Sequence, residues 1–113
     1  MRYSGVVEKG NGAGQTLGFP TANIPLENAS LSGIYAARVT VSGATYEAAV
    51  YADARRKLFE AHLLDFDGDL YGKEIAIELL EKVRDDKEFA DEAEARATIA
   101  NDVQKVRAYL RMR

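Results

Sequence analysis

The chain has 113 residues and a mass of 12.4 kDa, which is enough for a single domain, predicted over residues 1–113. It contains no cysteine, which excludes disulfides, thiolate metal clusters and cysteine nucleophiles, and its net charge of −3 argues against a nucleic-acid binder. The single histidine, His62, cannot build a histidine zinc site alone. No apolar signal region or membrane-length apolar run is present, so we expect a cytoplasmic, monomeric protein without a membrane partner.

The chain begins with a predicted strand over residues 3–8, which a glycine-rich loop over residues 10–23 follows. Glycines allow positive φ angles and let backbone N–H groups converge on a phosphate. The loop is not a P-loop, because no Gly-Lys-Ser/Thr sequence follows and Pro20 opposes an immediate helix. On the glycines alone, a flexible surface loop is the preferred interpretation. Four glycines lie within nine residues: Gly10, Gly12, Gly14 and Gly18.

Thr21 and Asn23 add a second feature to this loop. A hydroxyl and an amide one residue apart, made rigid by Pro20, are hard oxygen donors that suit Mg²⁺ bound together with substrate phosphates. The alternative is that both side chains only satisfy backbone groups in a turn. The residue types leave these two interpretations equally open.

Two hairpin turns are predicted in the middle of the chain, at Ser42-Gly43 and at Asp67-Gly68. Small turn residues between alternating apolar runs are strong hairpin signals, and the runs here are rich in β-branched and aromatic residues. The four strands that these turns join are predicted over residues 33–41, 44–51, 57–66 and 70–80.

Glu60 and His62 share one face of the predicted strand over residues 57–66 with Leu58 and Leu64. A carboxylate on this half-apolar face would be partly desolvated, which raises its pKa toward the range of a general base. The alternative is an outward-facing glutamate on a strand whose other face forms the core. A period of two leaves both interpretations open, because both faces are apolar enough. His62 is expected to orient its neighbours rather than to bind a metal.

The last quarter of the chain changes to a helical period. Asp91 followed by Glu94 resembles a capping box, which predicts a helix over about residues 91–112. Strands over about residues 1–89 and one helix after them predict a mainly β fold, a closed or half-closed antiparallel barrel with a helix against it. The apolar stripe of this helix consists of Ile99, Val103, Val106 and Leu110.

Residues 17–24 (LGFPTANI) resemble the signature loop of the riboflavin kinase (flavokinase) family. Residues 60–66 (EAHLLDF) are similar to the second signature of that family. The resemblance runs through nearly the whole chain in the same order. It includes residues 33–36 (GIYA), residues 69–72 (DLYG) and, in the segment VRDDKEF, Arg84, Lys87 and Phe89.

The resemblance implies a six-stranded antiparallel Greek-key barrel with a C-terminal helix. It also implies transfer of the γ-phosphoryl group of ATP to the 5′-hydroxyl of riboflavin, which yields FMN and ADP. By this resemblance Thr21 and Asn23 serve Mg²⁺ and the nucleotide, Glu60 is the base toward the ribityl hydroxyl, and Arg84 lies near the flavin. The predicted nucleotide-binding residues are Gly12, Gly14, Gly18, Pro20, Thr21 and Asn23, and the predicted flavin-binding residues are Arg84, Phe89 and His62.

Two features depart from the family pattern. Residues 50–57 (VYADARRK) are shorter than the family's Asn-Ile-Gly…Arg-Pro-Thr-Phe stretch and lack its pattern, and Gln15 stands where a basic residue is common. Bacterial relatives are often fused to a nucleotidyltransferase that makes FAD. These 113 residues have no room for such a module, so FAD synthesis is not expected of them.

Three hypotheses for the function follow. The leading one is an active riboflavin kinase that binds riboflavin, ATP and Mg²⁺. The second is a flavin- or nucleotide-binding module that has lost catalysis and serves sensing or regulation. In the third, the basic residues of the C-terminal helix dock an acidic partner, although a solvated helix face is the preferred interpretation of these residues. Those basic residues are Lys105, Arg107, Arg111 and Arg113.

Overall fold

A computed structural model of the chain describes residues 2–9, 18–27 and 30–112, which contain six β-strands and one α-helix. Gly12 and Gly14, for which phosphate contacts are predicted, lie outside the described residues. The strands are β1 (Arg2–Val6), β2 (Ala22–Pro25), β3 (Gly33–Val41), β4 (Ala44–Asp53), β5 (Leu58–Leu63) and β6 (Glu74–Arg84), and helix α1 spans Glu92–Arg111.

The six strands form one antiparallel sheet in the order β1-β6-β3-β4-β5-β2. Within it, β3 to β6 have the spatial order β6-β3-β4-β5, which is a Greek key. The ends of the sheet meet beyond β1 and β2, where the Glu8 N–H donates to the Asn23 carbonyl at 2.8 Å. The sheet is therefore a nearly closed barrel with a helix at its C-terminal end, and the predicted fold class is confirmed.

The barrel interior is filled by aliphatic and aromatic side chains that alternate along the strands. Strand β5 contributes Phe59, Ala61 and Leu63 to this core, so Glu60 and His62 lie on the opposite face, outside the barrel. The most deeply buried core side chains include Ile24, Val39, Val50, Phe59, Ile75 and Ile77.

The hairpin between β3 and β4 is confirmed. Its strands pair from Gly33 with Ala52 to Val41 with Ala44. Ser42 and Gly43 both have positive φ angles, 51° and 81°, as a two-residue type I′ turn requires. The local signal was sufficient here because the turn and both strands are contiguous in the sequence.

The second hairpin, predicted at Asp67-Gly68, is wrong. Strand β5 pairs with β4 and β2, whereas β6 pairs with β3 and β1, so the chain crosses one end of the barrel between them. Contacts remote in sequence hold this crossing segment, because Leu64 and Leu70 are buried and the Gly72 N–H donates to the Val7 carbonyl at 2.9 Å. These contacts outweigh the local turn signal.

Helix α1 begins at its predicted cap, where the Asp91 carboxylate accepts a hydrogen bond from the Glu94 N–H at 2.8 Å. The predicted apolar stripe divides into two halves. Val106 and Leu110 are buried against the outer face of the barrel, whereas Ile99 and Val103 are half-buried at the edge of a cavity. None of the helical residues within ranges 2–9, 18–27 and 30–112 forms a candidate membrane span.

Gly33 occupies a position that no other residue fits. Its φ angle is +97°, and a Cβ atom there would lie 2.5 Å from the Arg84 carbonyl oxygen. We expect Gly33→Ala to lower the free energy of unfolding by about 3 kcal/mol or more, measured by urea denaturation. Gly43→Ala is the matched control, because its φ is +81° but nothing lies within 4 Å of the added Cβ atom. Equal losses in the two variants would contradict the role of the backbone contact.

Candidate active site

Two cavities adjoin β5, and Thr21 and His62 line both of them. The larger has a volume of about 650 Å³ and lies between β2, the end of β1 and the crossing segment after β5. The smaller has a volume of about 240 Å³ and lies between the outer face of the barrel and helix α1. Both side chains that join the two cavities come from the segments singled out in the sequence.

The smaller cavity has mostly apolar walls with several charged groups among them. The apolar side chains come from the loop before β2, from β3, β4, the loop after β6 and helix α1, and the charged groups come from the β4–β5 turn, β5, β6, the loop after β6 and helix α1. This combination suits a ligand with a flat apolar body and a few polar groups. The apolar wall consists of Phe19, Ile34, Ala49, Phe89, Ala95, Ile99 and Val103.

Glu60 lies on the wall of the smaller cavity and is only 9% exposed, although it points away from the barrel core. It pairs directly with Asn23 across the β2–β5 ladder. Burial raises the pKa of the Glu60 carboxyl, and the Arg56 guanidinium, whose Nη2 is 2.5 Å from Oε2, partly offsets this effect. Glu60 thus faces outward from the core, as one interpretation held, and is nevertheless desolvated, as the other required.

Arg56 lies in the turn between β4 and β5, inside the segment that departs from the family pattern. Its Nε donates to the Asp53 carboxylate at 2.8 Å, and its Nη2 donates to Glu60. Burial alone would raise the pKa of Asp53, but the hydrogen bonds from Arg56 bring it below its ordinary value. Sequence reasoning missed Arg56, whose one available signal is its position four residues before Glu60.

The bend at residues 20–23 is attached to β5 by a side chain. His62 Nδ1 donates to the Pro20 carbonyl at 2.8 Å, and the His62 ring packs edge-on against Phe19 with centroids 5.5 Å apart. Thr21 Oγ1 donates to Asn23 Oδ1 at 3.3 Å. His62 therefore has the orienting contact predicted for it, and it also lines the smaller cavity. Gly18 is exposed before this bend and has a φ angle of +90°.

The side-chain oxygens of Thr21 and Asn23 are of a type that could hold a divalent cation. They are neutral hard donors, and Mg²⁺ is typically bound by one or two protein groups together with substrate phosphates and water. The larger cavity also carries the carboxylates of Glu8, Asp67 and Asp69 against one lysine, so a polyphosphate needs an added cation there. Residues 2–9, 18–27 and 30–112 contain no cluster of three His, Cys, Asp or Glu residues that could hold a metal alone.

Arg84 lies on the wall of the smaller cavity, and three of its five N–H groups donate to protein oxygens. Nε and Nη2 donate to both oxygens of Asp102 at 2.8 and 2.9 Å, and Nη1 donates to the Asp85 carbonyl at 2.9 Å. Its guanidinium lies 5.8 Å from the centre of the Phe89 ring. Arg84 and Phe89 are thus placed where a cavity ligand would meet them.

A hydrogen bond that the sequence did not indicate closes one side of the smaller cavity. Tyr51 Oη donates to the Asp86 carboxylate at 2.9 Å, which ties the loop after β6 to β4. Burial and this hydrogen bond raise the pKa of the Tyr51 hydroxyl, so it remains a donor.

Comparison with known proteins adds independent information. The profile of the flavokinase (riboflavin kinase) family matches residues 1–110. The bifunctional riboflavin kinase/FMN adenylyltransferase of Escherichia coli is 38% identical over 108 residues, which cover 88% of this chain and 34% of that protein. The chain spans about a third or less of the length of the first curated relatives that it matches.

Two solved structures share the fold. A riboflavin kinase from Trypanosoma brucei superposes with a TM-score of 0.69 at 28% identity, over 97% of this chain and 79% of that one. A protein from Streptococcus pneumoniae described as a macrolide-efflux protein superposes with a TM-score of 0.81 at 26% identity, over 94% of this chain and 38% of that one.

Helix α1 is attached to the rest of the fold by ion pairs, and two of these pairs differ strongly in burial. Asp102 is 2% exposed beside Arg84, whereas the Asp65 side chain, which pairs with Arg107, is 75% exposed. We expect Asp102→Ala to lower the free energy of unfolding by about 3–5 kcal/mol, because it leaves Arg84 without its counter-charge. Asp65→Ala should cost less than about 1 kcal/mol. Thermal and urea denaturation of both variants would check this, and similar losses would contradict it.

Proposed function

The chain belongs to the flavokinase (riboflavin kinase) family, and we propose that it transfers the γ-phosphoryl group of ATP to the 5′-hydroxyl of riboflavin. One observation carries this proposal: Glu60 is a desolvated carboxylate in the smaller cavity and pairs across the sheet with Asn23 of the larger one. A base beside the acceptor hydroxyl and an oxygen ligand beside the donor phosphate are thereby neighbours, as an in-line phosphoryl transfer needs.

The smaller cavity is the proposed flavin site. Its apolar walls suit the isoalloxazine ring, and the half-buried Ile99 and Val103 would be covered by it. The flat face of Arg84 and the ring of Phe89 would pack on the ring system, while the ribityl chain would extend toward Glu60. His62, which lines both cavities, would contact the ribityl end of the flavin.

The larger cavity is the proposed nucleotide site. Thr21 and Asn23 would hold a divalent cation, for which we propose Mg²⁺, together with the phosphate oxygens of ATP. When bound, this ion neutralises negative charge on the transferring phosphoryl group. Gly18 and Pro20, which precede these residues, would contact the phosphates.

The proposed chemistry uses Glu60 as a general base. Its carboxylate accepts the proton of the ribityl 5′-hydroxyl as the 5′-oxygen forms a bond to the γ-phosphorus. The bond between that phosphorus and the β–γ bridging oxygen breaks, and ADP leaves. Alignment of the two substrates supplies most of the acceleration, because little covalent chemistry is asked of the protein.

The second candidate is a binding module without catalysis. The altered segment over residues 50–57 favours it, whereas the presence of Thr21, Asn23 and Glu60 favours the kinase. Tight flavin binding without turnover under any divalent metal would decide for the binding module. The monomeric state, the cytoplasmic location and the single domain over residues 1–113 stay predictions.

We expect the protein to convert riboflavin to FMN with ATP and Mg²⁺, measured by chromatography of the flavins. Glu60→Gln should lower kcat by about 10²–10⁴-fold, because the amide cannot accept the proton. Flavin binding, followed by fluorescence without ATP, should be largely kept. Glu81→Gln, on the exposed part of β6, is the control and should retain full activity. Full activity of Glu60→Gln would exclude Glu60 as the base.

The rate should also depend on pH through Glu60. Only the ionised carboxylate accepts a proton, and burial raises its pKa above the value of 4.5 that is ordinary for a glutamate. The rate at saturating substrates should therefore fall as the pH drops, with a midpoint above that value. A profile of kcat against pH would show this limb. A rate that stays constant down to pH of about 4 would contradict the role of Glu60.

A further inference from the structure

The Glu60 side chain has three rotatable bonds, so its carboxylate needs a partner to hold one position at the cavity wall. Among residues 2–9, 18–27 and 30–112, its salt-bridge partner is Arg56, through Nη2 and Oε2. Only one carboxylate oxygen takes part, and Oε1 stays outside the ion pair. The contact therefore orients the carboxylate without occupying both of its oxygens.

Arg56 is itself held in place by Asp53, at the end of β4. The Asp53 side chain is 8% exposed and accepts two hydrogen bonds from the same residue, from the Arg56 backbone N–H at 3.1 Å and from Nε at 2.8 Å. Because Nε and Nη2 lie in the plane of one rigid guanidinium, fixing the first donor directs the second toward Glu60.

The neighbouring arginine shows that this direction is specific. Arg55 lies in the same turn, and its Nη2 is 3.9 Å from Glu88 at the surface. Its side chain is 77% exposed, against 38% for Arg56. The turn thus sends one guanidinium into the solvent and the other to the cavity wall.

Asp53 also lies beside Glu60, as a hydrogen-bonding and like-charged neighbour that raises the pKa of the Glu60 carboxyl, whereas the other polar side chains that line the smaller cavity have partners of their own. They come from β4, β5, β6, the loop after β6 and helix α1. Their contacts are those of Tyr51 with Asp86, Arg84 with Asp102, Lys87 with Glu94, and His62 with the Pro20 carbonyl.

We propose that Arg56 is a positioning residue: held by Asp53, it fixes the Glu60 carboxylate where it meets the ribityl hydroxyl. The proposal rests on the proposed function and goes beyond it, because Arg56 acts through Glu60 and needs no contact with either substrate. It also gives residues 50–57, the segment that departs from the family pattern, a role in positioning the Glu60 carboxylate.

The first test compares Arg56→Ala with Arg56→Lys and with Arg55→Ala as the matched control. We expect Arg56→Ala to lower kcat about tenfold or more and to change the riboflavin dissociation constant, measured by flavin fluorescence without ATP, less than about threefold. Arg56→Lys should recover part of the rate, as should millimolar guanidinium added to Arg56→Ala. Arg55→Ala should match the wild type.

Asp53→Asn should also lower kcat, because it removes the carboxylate that holds Arg56, and it replaces Arg56→Ala if that variant does not fold.

The second test asks whether Arg56 acts through Glu60. In single-turnover experiments, Arg56→Ala combined with Glu60→Gln should be no slower than Glu60→Gln alone, because the group that Arg56 positions has lost its chemistry. A further loss in the double variant, a higher kcat in Arg56→Ala, or wild-type rates in Arg56→Ala would each overturn the proposal. Wild-type protein that makes no FMN would instead overturn the proposed function.

Discussion

The antiparallel pairing of β2 with β5 determines whether the two halves of the candidate site meet. Ala22 and Ile24 flank Asn23 along β2 and face the barrel core, and Phe59 and Ala61 do the same on either side of Glu60. A slip of one residue would turn Asn23 or Glu60 into the core and expose apolar side chains, so the core fixes the register. The pairing of the proposed metal-binding bend with the Glu60 carboxylate is thus a consequence of hydrophobic burial.

Features encoded in contiguous residues could be predicted from the sequence. The β3–β4 hairpin and the Asp91 cap of helix α1 depend on residues within a few positions of one another, and both are present. Strand β2 was not predicted, and its first residues were assigned to the glycine-rich loop, because its four residues form a strand only by pairing with β5. The failed Asp67-Gly68 hairpin has the same origin, since β6 pairs with β3 and β1, far away in the chain.

The residues of the candidate site were likewise predicted only in part. Thr21, Asn23 and Glu60 were identified by residue type and by the family resemblance, and their closeness follows from one strand pairing. Arg56 was missed, because the direction of its side chain depends on a turn whose final residue, Lys57, has a φ angle of +57°. The ion pair of Arg84 with Asp102 could not be predicted either, since Asp102 meets Arg84 only when helix α1 packs on the barrel.

The apolar stripe of helix α1 has two roles, one in the stability of the fold and one at the wall of the smaller cavity. In its C-terminal half, Val106 and Leu110 are buried against the barrel, so substitutions there affect the stability of the fold. Ile99 and Val103, nearer its N-terminus, border the smaller cavity, so substitutions there change which ligands that cavity can accept. Sequence variation within the family should therefore be uneven along this one helix. It should be restricted toward the C-terminal end, and near the cap it should follow the shape of the ligand.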